Sequence, residues 1–266
     1  MFWTRVASAL IFGVLVVLIV LKGGLWVFFA LVSVVAILSA LEFFRLTESK
    51  GWLLLSVPNA LIVWLFCLSS LKPHWIDSSL VLYLAIGFLF LIEIIRREPP
   101  SALLNISSAL LGILYIGWLF GWHLIQLRQM QDGHHLILLL SGIIWSGDIG
   151  AYLVGKRFGK HRPIPAISPG KSVEGYMGGI ILSVITAMAL GHWLLPNIRL
   201  LHTVTLGVGL TVVGQIGDLA ESLLKRGASV KDSGSLMPGH GGLLDRCDSM
   251  IFAAPALYYY IRLMGL

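Results

Sequence analysis

The sequence predicts an all-α integral membrane protein, with about nine transmembrane helices and a polar site at the cytoplasmic side of its C-terminal half. Three observations carry this reading. Of 266 residues, 57% are hydrophobic and 12% charged, about half the charged share of an ordinary soluble domain. Mean hydropathy is +0.89, which excludes a soluble globular enzyme, a disordered chain and a disulfide-rich secreted module. Apolar runs recur along the chain between short polar breaks, and a bilayer-spanning helix needs roughly 20 such residues.

The runs fall in order at 6–21, 25–44, 52–71, 78–95, 102–126, 134–155, 173–195, 201–219 and 249–265. The first follows Arg5 and resembles a signal peptide. Lys22-Gly23-Gly24 breaks it only briefly, and no small-x-small cleavage site stands out. The expectation is a retained helical hairpin, turned at the glycine pair. Trp3, Trp26, Trp52, Trp75 and Trp193 fall near span ends, as an interfacial aromatic belt would. The last run begins just after the last charged cluster. The whole chain, 1–266, reads as one polytopic domain. Residues 1–130 form a mainly apolar scaffold, and 131–266 form the half that carries chemistry.

Charge orients the chain. The net charge is +6. With the N-terminus inside, fourteen Lys and Arg residues face the cytoplasm and five face away, which the positive-inside rule favours. Arg45, Lys50, Arg96 and Arg97 support this independently of the two polar loops below. The expected location is the cytoplasmic (inner) membrane. No basic arm or aromatic motif for nucleic acid is present. Cys67 and Cys247 lack spaced partners, so neither a disulfide framework nor a zinc site is expected.

Seven of thirteen acidic residues fall between 148 and 248, and five of those between 218 and 248. Asp218, Glu221, Ser222 and Lys225 stand at i, i+3, i+4 and i+7, one face of a helix. That face continues an apolar span, where carboxylates are expensive and usually functional. The glycine-rich stretch Pro238-Gly239-His240-Gly241-Gly242 can turn several N–H groups toward one anion. Lys225, Arg226, Lys231 and Arg246 bracket it, and such a set of cations suits a polyphosphate. Asp245 and Asp248 follow at i, i+3. With Asp218 they offer oxygen ligands of the kind Mg²⁺ prefers. The plainer reading is that Asp245 pairs with Arg246 or caps a helix.

A second polar stretch runs from Ser146 to Gly179. Asp148, Tyr152 and Gly155 share a helical face there. Gly170-Lys171-Ser172 looks like the end of a P-loop, but position 165 is Pro where that motif needs Gly. A loop with Ser168, Lys171 and Ser172 opening a helix can still bind phosphate. Ser168, Ser172 and Glu174 are equally good helix-start residues. Both readings can hold together. Glu93, four residues before Arg97 and near a helix end, is expected to be paired or to snorkel. No Gly-x-Ser-x-Gly elbow is present.

The stretch Ser222 to Asp248 resembles the signature of the phosphatidate cytidylyltransferase (CDP-diacylglycerol synthase) family. Ser222, Lys225, Arg226, Lys231, Asp232, Gly234, Pro238, His240, Gly241, Gly242, Asp245, Arg246 and Asp248 carry the match. Met237 and Cys247 replace aliphatic residues. Gly155, Gly159, Ser168, Pro169, Lys171, Ser172, Glu174 and Gly175 resemble the family's upstream loop, with Gly170 where a lysine is common.

The resemblance implies an enzyme that joins CTP to phosphatidic acid, giving CDP-diacylglycerol and pyrophosphate, with Mg²⁺ required and a second cation compatible. It implies Asp218, Asp245 and Asp248 as metal ligands, with Glu221 behind them. Lys225, Arg226, Lys231, His240 and Arg246 would bind phosphates, together with Ser222, Gly241 and Gly242. Ser168, Lys171 and Ser172 would grip nucleotide or lipid head group, and Asp148 would contact metal or ribose. A homodimer rests on analogy alone. The competing classes are a CTP-dependent lipid or polyprenol kinase and a cation-coupled transporter.

Overall fold

The computed structural model describes residues 13–46, 53–234 and 241–266. Among them the chain is helical, with nine helices. They are α1 (Gly13–Lys22), α2 (Leu25–Leu46), α3 (Leu53–Leu71), α4 (Ser78–Arg96), α5 (Pro99–Gln129), α6 (Gly133–Phe158), α7 (Val173–Leu194), α8 (Leu200–Gly227) and α9 (Asp248–Met264). Each overlaps one predicted run, and residues 6–12 of the first run and 52 of the third lie outside the described residues. Six of them, α2, α4, α5, α6, α7 and α8, are long and apolar enough to cross a membrane. The described parts of α1 and α3 are shorter apolar helices.

Local chemistry sets the helix ends. Asp77 caps α4, accepting from the Ser79 N–H at 2.9 Å. Its hydrogen bonds with Ser79 hold this carboxyl below the usual carboxylate range. Arg97 closes α4 in the left-handed conformation at φ 58°, and Pro99 then opens α5, where its missing N–H costs nothing. Ser172 caps α7, accepting from the Gly175 N–H at 3.1 Å. Large apolar side chains stay exposed on the helices, among them Leu103 at 77% and Leu263 at 81%. In lipid such faces carry no penalty.

The chain packs as two compact units. The first is 1–126 with 232–244, and the second is 127–231 with 245–266.

In the first unit α5 departs from regular α geometry. Ile113–Trp122 is π-helical, a rare form. Gly117 and Gly121 on it lie against α3. A Cβ at Gly121 would stand 2.5 Å from Cys67 Sγ. His123 Nδ1 donates to the Trp118 carbonyl at 2.8 Å. Glu93 is nearly buried and does not pair with Arg97. It takes Arg96 at 3.7 Å and the Asn105 amide at 3.0 Å. Arg97 is unsuited because the left-handed turn carries it off the helix.

In the second unit α6 and α7 pack most closely, through glycines. A Cβ on Gly150 would sit 2.6 Å from the Gly178 carbonyl oxygen, and one on Gly179 2.8 Å from that of Gly147. Small residues let the two backbones meet, which is how helices associate without a hydrophobic driving force. Gly150→Ala is therefore expected to destabilise by about 1–3 kcal/mol, because a backbone atom cannot move aside. A thermal melt in detergent checks this, and an unchanged midpoint would contradict the close contact.

Candidate active site

The second unit holds a cavity of about 610 Å³ where the C-terminal part of α6, the start of α7, the later part of α8 and the start of α9 meet. That volume lies within the usual range for small-molecule sites. Asp148, Tyr152 and Gly155 line it from α6, on the face the sequence predicts. Lys171, Ser172, Gly175 and Tyr176 line it from the start of α7 and the residue before its cap. Gln215 and Asp218 come from α8, and Asp245, Asp248 and Ser249 from the last segment.

Each side chain has a local reason for its place. Glu174, in the first turn of α7, accepts from the Lys160 N–H at 3.1 Å and from His161 Nδ1 at 2.6 Å. The Arg162 guanidinium donates to the Pro169 carbonyl at 2.7 Å. These contacts fix the loop that delivers Lys171 to the cavity. The Lys171 ammonium lies 2.7 Å from an Asp218 oxygen. Asp218 belongs to α8, which runs unbroken to Gly227, beyond the span end at 219 read from the sequence.

Asp245 sits in a short 3-10 turn, Leu244–Arg246, and α9 begins only at Asp248. The two acids are thus not on one helix, yet both line the cavity. Asp245 has a partner on α8. It accepts from Lys225 at 2.6 Å. Lys225 also lies 2.6 Å from Glu221, which is 1% exposed. Lys225 is therefore held between two carboxylates behind the cavity wall.

The site thus brings together Asp148, Lys171, Ser172, Asp218, Asp245 and Asp248, with Glu221 and Lys225 behind. Ser168, Ser222, Arg226, Lys231 and Arg246 do not line the cavity. Arg226 donates to the Ile167 carbonyl at 3.3 Å and to that of Val230. Gly241 and Gly242 belong to the first unit. His240 lies outside the described residues, with Pro238 and Gly239.

Sequence reasoning missed Gln215, Tyr176, Arg162 and Lys156 as lining residues. Gln215 stands three residues before Asp218, so extending the polar face one turn back would have found it. Tyr176 stands four residues after Ser172 on the same helix face.

The chemistry of the lining bears on a metal. Asp148, Asp218, Asp245 and Asp248 offer oxygen donors, and among the described residues no cysteine or histidine lines the cavity. Such a donor set suits a hard divalent cation. As placed, no three described His, Cys, Asp or Glu side chains come close enough to hold one ion. Asp218 and Asp245 are instead held by Lys171 and Lys225. A cation would take over the charge that the two lysines now balance.

Comparison with known proteins decides the family. A model of the cytidylyltransferase family matches residues 3–264, almost the whole chain. The chain belongs to the cytidylyltransferase family.

Full-length relatives agree. The phosphatidate cytidylyltransferase of Staphylococcus saprophyticus is 33% identical over 254 residues, covering 95% of this chain and 96% of the relative. That of a Synechocystis species is 33% identical over 289 residues, covering 98% and 96%. The uncharacterized protein YnbB of Escherichia coli is 34% identical over 254 residues, covering 91% and 82%. Within the cytidylyltransferase family, the matched region takes in both units and every residue lining the cavity.

Proposed function

We propose that this chain transfers the cytidylyl group of CTP to phosphatidic acid, forming CDP-diacylglycerol and pyrophosphate for phospholipid synthesis. The observation that carries this reading is the mixed-charge cavity, in which four aspartates stand with Lys171, Lys156 and Arg162. The names of the full-length relatives supply the substrates.

The reaction asks little of a base. A phosphate monoester is already mostly ionised near neutral pH, because its second pKa is about 6. A lipid phosphate oxygen attacks the α-phosphorus of CTP. The bond from that phosphorus to the bridging oxygen breaks, and pyrophosphate leaves with the electron pair. The protein must bring two anions together and neutralise the leaving group, by positioning and electrostatics.

In this reading Asp218, Asp245 and Asp248 would hold Mg²⁺, with Asp148 beside them as a metal or ribose contact. The ion, when bound, would supply charge neutralisation on the CTP phosphates. Lys171 and Ser172, at the N-terminus of α7, take a phosphate through the ammonium and the helix N–H groups. Lys225 orients Asp245 from behind. Arg226, Lys231, His240 and Arg246, with Ser168, Ser222, Gly241 and Gly242, are assigned to the substrates' phosphates by the family resemblance alone.

The chain works as a multi-pass protein of the inner membrane, crossing nine times with its N-terminus in the cytoplasm. The excess of Lys and Arg in the loops that this orientation places inside supports this. The cavity then faces the compartment that holds CTP, while the acyl chains of the lipid stay in the bilayer.

The test is a reaction with purified protein in lipid–detergent micelles. One pyrophosphate is expected per CDP-diacylglycerol formed, only when CTP, phosphatidic acid and Mg²⁺ are all present. Pyrophosphate without lipid product, or no reaction from well-folded protein, would overturn the proposal.

A further inference from the structure

Glu42 stands near the C-terminal end of α2 and is 1% exposed. A carboxylate there is expensive, in a helix long and apolar enough to cross a membrane, unless it has partners. Its partners lie 191 and 202 residues away in sequence. One oxygen accepts from the Leu244 N–H at 2.9 Å and from the Ser233 hydroxyl at 3.3 Å.

Two glycines close the same contact. A Cβ on Gly234 would stand 2.5 Å from a Glu42 oxygen, and one on Gly242 2.6 Å from the other. The chain on both sides of the carboxylate therefore lacks side chains where it passes. All of these residues belong to the first unit.

We propose that Glu42 is a positioning residue, clasping both flanks of the glycine-rich segment and so holding the backbone of Leu244, the residue bonded directly to Asp245. Leu244 starts the 3-10 turn that carries Asp245. The hydrogen bond on the Leu244 N–H holds the first residue of that turn. The carboxylate acts as an acceptor here, so its geometry matters more than its charge. The role in turnover rests on the function proposed above. The clasp itself does not.

The test compares Glu42→Ala, Glu42→Gln and Glu42→Asp with the unaltered protein. Hydrogen–deuterium exchange follows the peptide containing Leu244, and steady-state kinetics follow product. In Glu42→Ala that peptide is expected to exchange at least about ten-fold faster, while peptides of α7 keep their protection. The kcat is expected to fall roughly 10- to 100-fold, with KM for CTP changed much less, because a misplaced reacting group lowers the rate. Glu42→Gln keeps an acceptor oxygen and should recover most of both. Glu42→Asp retracts the carboxylate and should loosen the Leu244 peptide while the protein stays folded, so it decides the matter if the Ala variant does not fold.

Unchanged exchange at Leu244 in the Ala or Asp variant would overturn the clasp. So would a Gln variant as impaired as Ala in both readouts. If the unaltered protein makes no CDP-diacylglycerol, the function fails and the exchange result still judges the clasp.

Discussion

Asp245→Asn is expected to abolish turnover, by about 10³-fold or more, and to leave the fold intact. Asn has nearly the same shape and keeps an acceptor for the Lys225 ammonium, now 2.6 Å from the Asp245 carboxylate. Glu221 still holds Lys225 from the other side at 2.6 Å. The substitution therefore removes a negative charge from the cavity without freeing its neighbours. A metal bound there would lose an anionic ligand, and the leaving pyrophosphate would lose its neutralisation. The check is product formation from CTP and phosphatidic acid beside a thermal melt. Full activity in the variant would remove Asp245 from the metal site. A collapsed melt would make its role structural.

Lys171→Met is expected to lower kcat/KM for CTP by about 10- to 100-fold. That corresponds to the loss of one charged hydrogen bond to a phosphate, about 1.5–3 kcal/mol. Lys171 reaches the cavity from the turn before α7 and lies 2.7 Å from Asp218. Met keeps most of the stem and removes the ammonium, so packing changes little. Asp218 then stands in a cavity shared with Asp148, Asp245 and Asp248 with one cation fewer. Polyanionic CTP meets a more negative site. Lys171→Arg restores the charge with a different donor geometry and should recover part of the loss. Steady-state kinetics with CTP and lipid varied separately would show which substrate the lysine serves. An unchanged kcat/KM for both would place Lys171 outside the reaction.

Much of this was legible because helices advertise themselves locally. Apolar runs of bilayer length mark α2 and α4 through α8, and the Ser172 cap is visible from residues that lie together in sequence. Asp218 and Glu221 were legible for the same reason, since helical spacing is a short-range pattern.

What stayed hidden depends on contacts between distant stretches. Nothing near Glu42 announces that its partners are Ser233 and Leu244. Asp245 and Asp248 share a spacing that suggests one helix. The 3-10 turn separates them, and tertiary packing returns both to the cavity. Lys225 is visible in the sequence as one of four cations bracketing the glycine-rich stretch, but its carboxylate partners are not legible there as a pair. The two carboxylates that hold it come from α8 and from the turn before α9.

The central claim is cytidylyl transfer, and the fate of labelled phosphorus tests it most directly. Purified protein would receive phosphatidic acid, Mg²⁺ and CTP labelled at either the α or the γ phosphorus. Cytidylyl transfer puts the α label into lipid and the γ label into pyrophosphate. Label from the γ position in lipid, with none from the α position, would make the chain a CTP-dependent kinase and contradict the account.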